Sequence, residues 1–408
     1  MLRTHNEPGI DAGVVEETIC ETASCPSAFL EYIWYLLLAY AMLNSAWGVV
    51  IPSVGGALMA VLAAACFLSI GVHASRLYAP IAFALCTGIS VIAMQFFFYS
   101  VRSLENSIGF FGWLFSLIIV QALALRPGFL HRFALAAFAI GLGVLPYIQF
   151  QSAGGLMRVR AAETGISNPN SLGMWFGFST IYFVFCGMQS RRLILRVASW
   201  TAALVCLYVV TLTVSRAPLI GIVLACVVGL KSVLKRYFVP LLSLVFLAWL
   251  AYESGVFQQA VVSYSARGTV ESGRGTVWPL ALQRFLTSPW TGVGMEAIPT
   301  RRPTGHAITP HNGLLYLGLA AGIVPFMCFL AYLMQAVRGA IRMIWSDRSG
   351  DAMILPPLTV FALIEIMNLD TAFMSVWVVV ILGLAAAAQG SARFQSTSQL
   401  AGYITSPS

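Results

Sequence analysis

The feature that most constrains this chain is a series of long apolar blocks almost without charge. They cover residues 30–50, 54–71, 78–98, 108–125, 133–150, 171–188, 197–214, 217–230, 237–252, 313–337, 353–369 and 372–388. Most reach the ~17–25 residues that a helix needs to cross a hydrocarbon core. The shorter blocks, such as 217–230, must borrow residues from their flanks. Backbone N–H and C=O groups in lipid must bond within their own segment, which selects helices over strands. Composition agrees. The chain is 59% hydrophobic and 9% charged, whereas an ordinary soluble domain is roughly 25% charged. So few polar groups could not cover a soluble surface. The expected fold is all-α, a polytopic integral membrane protein with about 12 transmembrane helices.

The blocks divide the chain into a tail over 1–28, nine helices over 29–252, a long loop over 253–312, three further helices over 313–388 and a tail over 389–408. Cationic residues favour the cytoplasmic side of a membrane. With twelve spans, the even-numbered loops carry twelve: Arg76, Arg126, Arg132, Arg191, Arg192, Arg196, Lys231, Lys235, Arg236, Arg338, Arg342 and Arg348. The short odd-numbered loops carry four, Arg102, Arg158, Arg160 and Arg216. Both termini are therefore expected in the cytoplasm and the 253–312 loop outside. The first 28 residues hold Glu7, Asp11, Glu16, Glu17 and Glu21 against a single Arg, the wrong charge for the start of a signal peptide. The net charge of +8 is too scattered for a nucleic-acid surface. Six of the eight cysteines fall within spans, where thiols act as small hydrophobes. Cys20 and Cys25 sit in the tail without a metal-site pattern.

Polar residues that lipid would reject carry the information in such a chain. They concentrate in 253–312, where Arg267, Arg274, Arg284, Arg301, Arg302, His306 and His311 outnumber Glu253, Glu271 and Glu296. Trp278, Leu282, Phe285 and Leu286 share a helical face, Pro279 suits a first turn, and Ser288-Pro289-Trp290-Thr291-Gly292 ends the run. The spacing predicts a short amphipathic helix at the membrane surface. Outside this loop, Glu365 within the eleventh block and Asp370 at its outer end are acids at membrane depth.

Five short segments occur in a telling order. They are Ser167-Asn168-Pro169-Asn170-Ser171-Leu172-Gly173, Ser215-Arg216-Ala217, Ser272-Gly273-Arg274-Gly275, Pro289-Trp290-Thr291-Gly292-Val293-Gly294 and His311-Asn312-Gly313-Leu314-Leu315-Tyr316. On them the chain resembles the O-antigen ligase and polymerase family of bacterial membrane glycosyltransferases, over roughly residues 165–340. The resemblance implies transfer of a glycan from undecaprenyl diphosphate to an acceptor hydroxyl at the periplasmic face of the inner membrane. In the ligases the acceptor is the lipid A–core; related polymerases extend the glycan itself. Polymerases often carry two long outward loops, and the short connection around Arg216 here tilts the reading toward ligase.

The residues fit that chemistry. Arg216 and Arg274 can hold the diphosphate leaving group, since guanidinium grips phosphate oxygens in a planar fork and stays charged. Two glycines flank Arg274 and suit a tight backbone. The long loop has no Asp-x-Asp pair or histidine cluster, so neither a metal nor another cofactor is expected. His311 is the candidate general base, imidazole titrating near pH 6.5. Asn168, Asn170, Arg301, Arg302, His306 and Asn312 are candidate substrate contacts. Each has a plainer reading: Arg216 could snorkel to headgroups, Asn312 could cap a helix, Asn168-Pro169-Asn170 is a turn by chemistry alone, and Arg301, Arg302 and His306 could form a solvated rim. A transporter of lipid-linked glycans is the competing class. It should show repeated halves around a midplane site, and the sequence has no matching halves.

Overall fold

The computed structural model describes residues 27–43, 52–70, 78–100, 109–124, 126–153, 156–229, 262, 274–298, 300–301, 307–345, 351–367 and 376–390. Helices dominate. In chain order they are α1 (Ala28–Leu43), α2 (Pro52–Ile70), α3 (Tyr78–Phe98), α4 (Gly109–Leu123), α5 (Phe129–Val144), α6 (Pro169–Gln189) and α7 (Leu193–Leu212). Then come α8 (Arg216–Gly229), α9 (Arg274–Thr287), α10 (Gly313–Ala321), α11 (Ile323–Trp345), α12 (Asp351–Ile366) and α13 (Val376–Gly390). Among the described residues, four helical segments are long and apolar enough to cross a membrane: Phe129–Tyr147, Pro169–Gln189, Leu193–Leu212 and Ile323–Trp345. This is a helical membrane protein. The two tails and the ninth expected span, 237–252, lie outside the described residues.

Three sequence expectations change. The span expected over 133–150 stops as an α-helix at Val144, where Leu145-Pro146-Tyr147 tightens into a 3-10 turn. Pro146 has no N–H to continue the ladder. The chain then forms an antiparallel hairpin, β1 (Ile148–Ala153) with β2 (Leu156–Ala161). A smaller pair, β3 (Thr300–Arg301) with β4 (Ala307–Ile308), lies in the long loop. The all-α description therefore needs two hairpins added. The block at 313–337 is also not one helix: it breaks at Gly322, which sits at φ 85° between α10 and α11. Finally, α9 begins at Arg274 and carries Pro279 in its interior. Its buried side chains are Val277 and Ala281, while Leu282 and Leu286 are exposed.

The break at Gly322 has a visible cause. The Pro289–Gly294 turn lies directly against it, with Val293 N–H donating to the Leu319 carbonyl at 2.7 Å and Ile323 N–H to the Pro289 carbonyl at 2.8 Å. A Cβ on Gly322 would fall 2.2 Å from the Trp290 carbonyl oxygen, and one on Gly292 2.4 Å from that of Leu319. Only glycine permits this approach at positive φ. The Gln95 side chain of α3, fully buried, ties the two together. Its amide donates to the Ala320 carbonyl at 2.6 Å, and its carbonyl accepts from Met295 N–H at 3.1 Å. Tyr99 donates to the Gly292 carbonyl at 2.7 Å.

Chain direction sorts the bundle into two ends. At one, Glu31 near the start of α1 meets Arg126 and Arg132 beside the start of α5, and His131 meets Asp351 at the start of α12. At the other, Gly165 N–H donates to the Met42 carbonyl near the end of α1. The hairpin, the start of α6, the start of α8 and the break before α11 all lie toward that second end. The core between them holds Trp34, Trp175 and Trp377 with Phe133, Phe178 and Phe361. Trp175 Nε1–H also donates to the Ala137 carbonyl at 3.0 Å, linking α6 to α5.

Candidate functional site

Six of the sequence-predicted residues, Asn168, Asn170, Arg216, Arg274, His311 and Asn312, stand at helix starts. Asn168 caps α6, its Oδ1 accepting from Asn170 N–H at 2.9 Å, with Pro169 in the first turn. Arg216 is the first residue of α8, Arg274 the first of α9, and His311 directly precedes Asn312, the cap of α10. A helix start presents unpaired N–H groups and a partial positive charge. An arginine there is disfavoured by the dipole unless an anion joins it. Arginine and helix start together make a setting for phosphate.

Two pairs of these starts are fastened by hydrogen bonds. In the first, the buried Ser215 hydroxyl donates to Asn170 Oδ1 at 3.0 Å, joining the α7–α8 corner to α6. That corner is tight. Val214 is held at φ 52°, costly for a β-branched residue, and Thr213 Oγ1 donates to the Val210 carbonyl at 2.7 Å. Gly173 lets α6 approach it, since a Cβ there would lie 2.9 Å from Thr213 Oγ1. Arg216, half-buried, follows at once. The connection spans only Thr213 to Ser215, as short as the sequence indicates.

In the second pair, Trp278 Nε1–H of α9 donates to the Pro310 carbonyl at 2.8 Å, fixing the turn that carries His311. His311 is half-buried at φ 46°, a left-handed conformation uncommon outside glycine. Strain of this kind persists only where its surroundings over-determine it, and it concentrates at functional positions. Asn312 is buried, and its Oδ1 accepts from Leu314 N–H at 3.1 Å and Leu315 N–H at 3.2 Å. That Oδ1 is occupied by the cap.

Arg301 belongs to β3. Arg302 and His306 lie outside the described residues, as do the side chains of Arg274 and Arg301. Among the described residues, no three His, Cys, Asp or Glu side chains gather as a metal site would require. Sequence reasoning passed over Gln95, gave Ser215 no role of its own within its motif, and did not foresee the Trp278 contact. A lone amide in the aromatic run Gln95-Phe96-Phe97-Phe98-Tyr99 is the kind of polar residue at membrane depth that warrants notice.

Fold and site together define a polytopic helical membrane protein that carries its polar motifs at helix starts. Residues 201–330 match the family model described as O-Antigen ligase. The matched segment runs from within α7 into α11 and is what the chain shares with that family. It contains Arg216, Arg274 and His311 and excludes Asn168, Asn170 and the first hairpin. No curated protein matches the chain.

Proposed function

We propose that the protein is an O-antigen ligase, moving glycan from undecaprenyl diphosphate to a sugar hydroxyl of a lipid A–core acceptor. The observation that carries this reading is the placement of Arg216 and Arg274 each at the first residue of a helix, within a segment matching the O-antigen ligase family. The acceptor oxygen attacks the anomeric carbon as the bond from that carbon to the diphosphate oxygen breaks. The diphosphate leaves with the electron pair, and the acceptor proton passes to His311. Charge develops on the leaving group, where arginine and helix-start N–H groups oppose it. A preorganised donor of this kind contributes on the order of 3 kcal/mol. Asn168 and Asn170 shape the Arg216 corner, while Arg301, Arg302 and His306 belong to the acceptor's approach.

The short Thr213–Ser215 corner favours ligase over polymerase, whose pattern includes a second long loop. In this reading the site faces the periplasm from the inner membrane, and both termini are cytoplasmic. A cysteine at Gly305, in a background without native cysteines, should then react with an impermeant maleimide once the outer membrane is permeabilised. Purified protein in liposomes should transfer glycan in excess EDTA, because the arginines balance the diphosphate. Activity lost in EDTA and restored by Mg²⁺ or Mn²⁺ would refute the metal-free mechanism. Translocation without transfer would make the protein a transporter. In a deletion strain, full-length chains left on the carrier lipid mark a ligase, and single units on core mark a polymerase.

A further inference from the structure

The hairpin β1–β2 lies outside the segment that matches the family and was expected as the end of a span followed by a short loop. Its register sorts its residues onto two faces. Gln149 pairs with Arg160 and Gln151 with Arg158, while Ile148 pairs with Ala161 and Phe150 with Val159. Cross-strand partners share a face, so one side carries two amides and two guanidiniums and the other is apolar. The apolar side is buried at its base, through Val159 and Ala161, and open toward its tip, with Phe150 56% and Met157 43% exposed.

On the polar side the two arginines stand two residues apart, about 6.6 Å along the strand. Each is opposed by a glutamine roughly 5 Å across the pair. The Nε of Arg158 is buried and has no hydrogen-bond partner among the described residues. Buried donors are normally satisfied, and an orphan in an ordered element needs an acceptor. The hairpin is ordered at its base. Ala162 N–H donates to the Tyr147 carbonyl at 2.9 Å, and Thr164 Oγ1 to the Ala161 carbonyl at 3.0 Å. Six residues separate Ala161 from the Asn168 cap of α6, and β2 packs against that helix.

We propose that Gln149, Gln151, Arg158 and Arg160 bind the phosphorylated glycan head of the lipid-anchored acceptor. The chemistry selects this occupant. A bare headgroup phosphate needs only charge, whereas amides alternating with guanidiniums match hydroxyls alternating with phosphate. The apolar side of the same hairpin, leaving the end of the α5 span directly, suits a ligand whose other half is acyl chain. The donor diphosphate already has the arginines that start α8 and α9, and transfer between two lipid-linked substrates needs a second anionic site. The inference rests on the glycan-transfer reading for its role, but its binding test does not depend on turnover.

The test uses full-length protein in detergent and native mass spectrometry. The probes are a bisphosphorylated lipid A and, separately, phosphatidylglycerol. The pair Arg158→Ala with Arg160→Ala should lower lipid A binding at least about ten-fold, the loss of one charge-assisted hydrogen bond or more, and leave phosphatidylglycerol binding unchanged. Arg158→Lys with Arg160→Lys, which keeps the charge, should fall between. In transfer assays the alanine pair should raise KM for the acceptor by a similar factor, with kcat changed less and donor affinity unchanged. Equal losses for both lipids would make the hairpin a headgroup anchor and overturn the proposal. Lost donor affinity would assign it to the diphosphate and overturn it as well, as would unchanged lipid A binding. If lipid A binding behaves as expected while wild-type protein transfers no glycan, the ligase reading fails and the binding surface stands.

Discussion

The two ends of the bundle use the same residue type for opposite purposes. At one end, Arg126 and Arg132 converge on Glu31, which is 1% exposed. Arg126 approaches to 2.5 Å, and Arg132 makes a fork with Nε at 2.7 Å and Nη2 at 2.9 Å. Tyr35 adds a fourth hydrogen bond at 2.6 Å. The carboxylate, both arginines and the tyrosine form a closed set that fixes α1 to α5. At the other end, Arg216 and Arg274 start helices and Arg158 and Arg160 stand on a hairpin. A helix dipole opposes the first pair rather than completing it. Arginine that satisfies a buried acid is architecture, and arginine placed against its own helix start is suited to an incoming anion.

Substitution at the two ends should therefore separate turnover from stability, and His311 should show the largest effect. Removing a general base costs about 100- to 10,000-fold in rate. His311→Ala and His311→Gln should both fall by that amount in single-turnover transfer with donor affinity retained, since in the proposed mechanism the arginines hold the diphosphate. Near-wild-type transfer by His311→Gln would leave His311 a positioning group and move the base elsewhere. At the opposite end, Glu31→Gln leaves two arginines without their carboxylate. Breaking a buried pair costs roughly 3–5 kcal/mol. Thermal unfolding in detergent should shift markedly downward while the folded fraction keeps its kcat. A large loss of kcat at unchanged Tm would break the division between the ends.

Arg274→Lys comes next. It keeps the charge and loses the planar fork, so activity should fall by roughly ten- to a hundred-fold, with Ala worse, as a charged hydrogen bond of ~1.5–3 kcal/mol implies. Arg126→Lys, the same change at the other end, should affect unfolding and spare transfer. Equal losses of transfer in the two variants would make arginine geometry a folding requirement throughout.

How far all this could be read in advance follows from where the signal lies. Apolar blocks declare helices because lipid forbids other backbone solutions, and α3, α6 and α7 follow their blocks closely. The same rule hides the hairpin. Residues 148–161 leave the span through Pro146, where water or protein can satisfy strand backbone, so hydropathy no longer selects a helix. The break at Gly322 was hidden because a block of 25 apolar residues looks like one span. What divides it is a turn more than twenty residues upstream, Pro289–Gly294, and no local periodicity encodes that contact. Site residues were legible as types, since Arg and His stand out against so apolar a background. Placement at a helix start was legible for His311 and Asn312, which open the tenth block, but not for Arg274, and neither was the tie from Ser215, which depends on Asn170 coming within 3.0 Å.

Ser215→Ala should give the smallest effect and the finest test of the comparison. The bond from Ser215 to Asn170 is neutral on both sides, and such a bond contributes about 1 kcal/mol net. Asn170 is only half-buried, so water can replace the lost donor and hold the cost to the lower part of that range. Donor affinity should fall by roughly three- to five-fold, because α8 loses one tie to α6 while Gly173 and Thr213 keep the corner closed. Asn170→Ala should do about the same, and the double variant little more, since both remove one bond. The far end supplies a matched control: His131 Nδ1 and Tyr182 Oη lie 2.9 Å apart, and His131 Nε2 lies 3.2 Å from Asp351. Tyr182→Phe deletes a hydrogen bond of similar size there and should leave donor affinity where it was. If Tyr182→Phe weakened the donor as much as Ser215→Ala did, the loss would report general loosening of the bundle. If Ser215→Ala alone acts, the corner that starts α8 is part of the donor site.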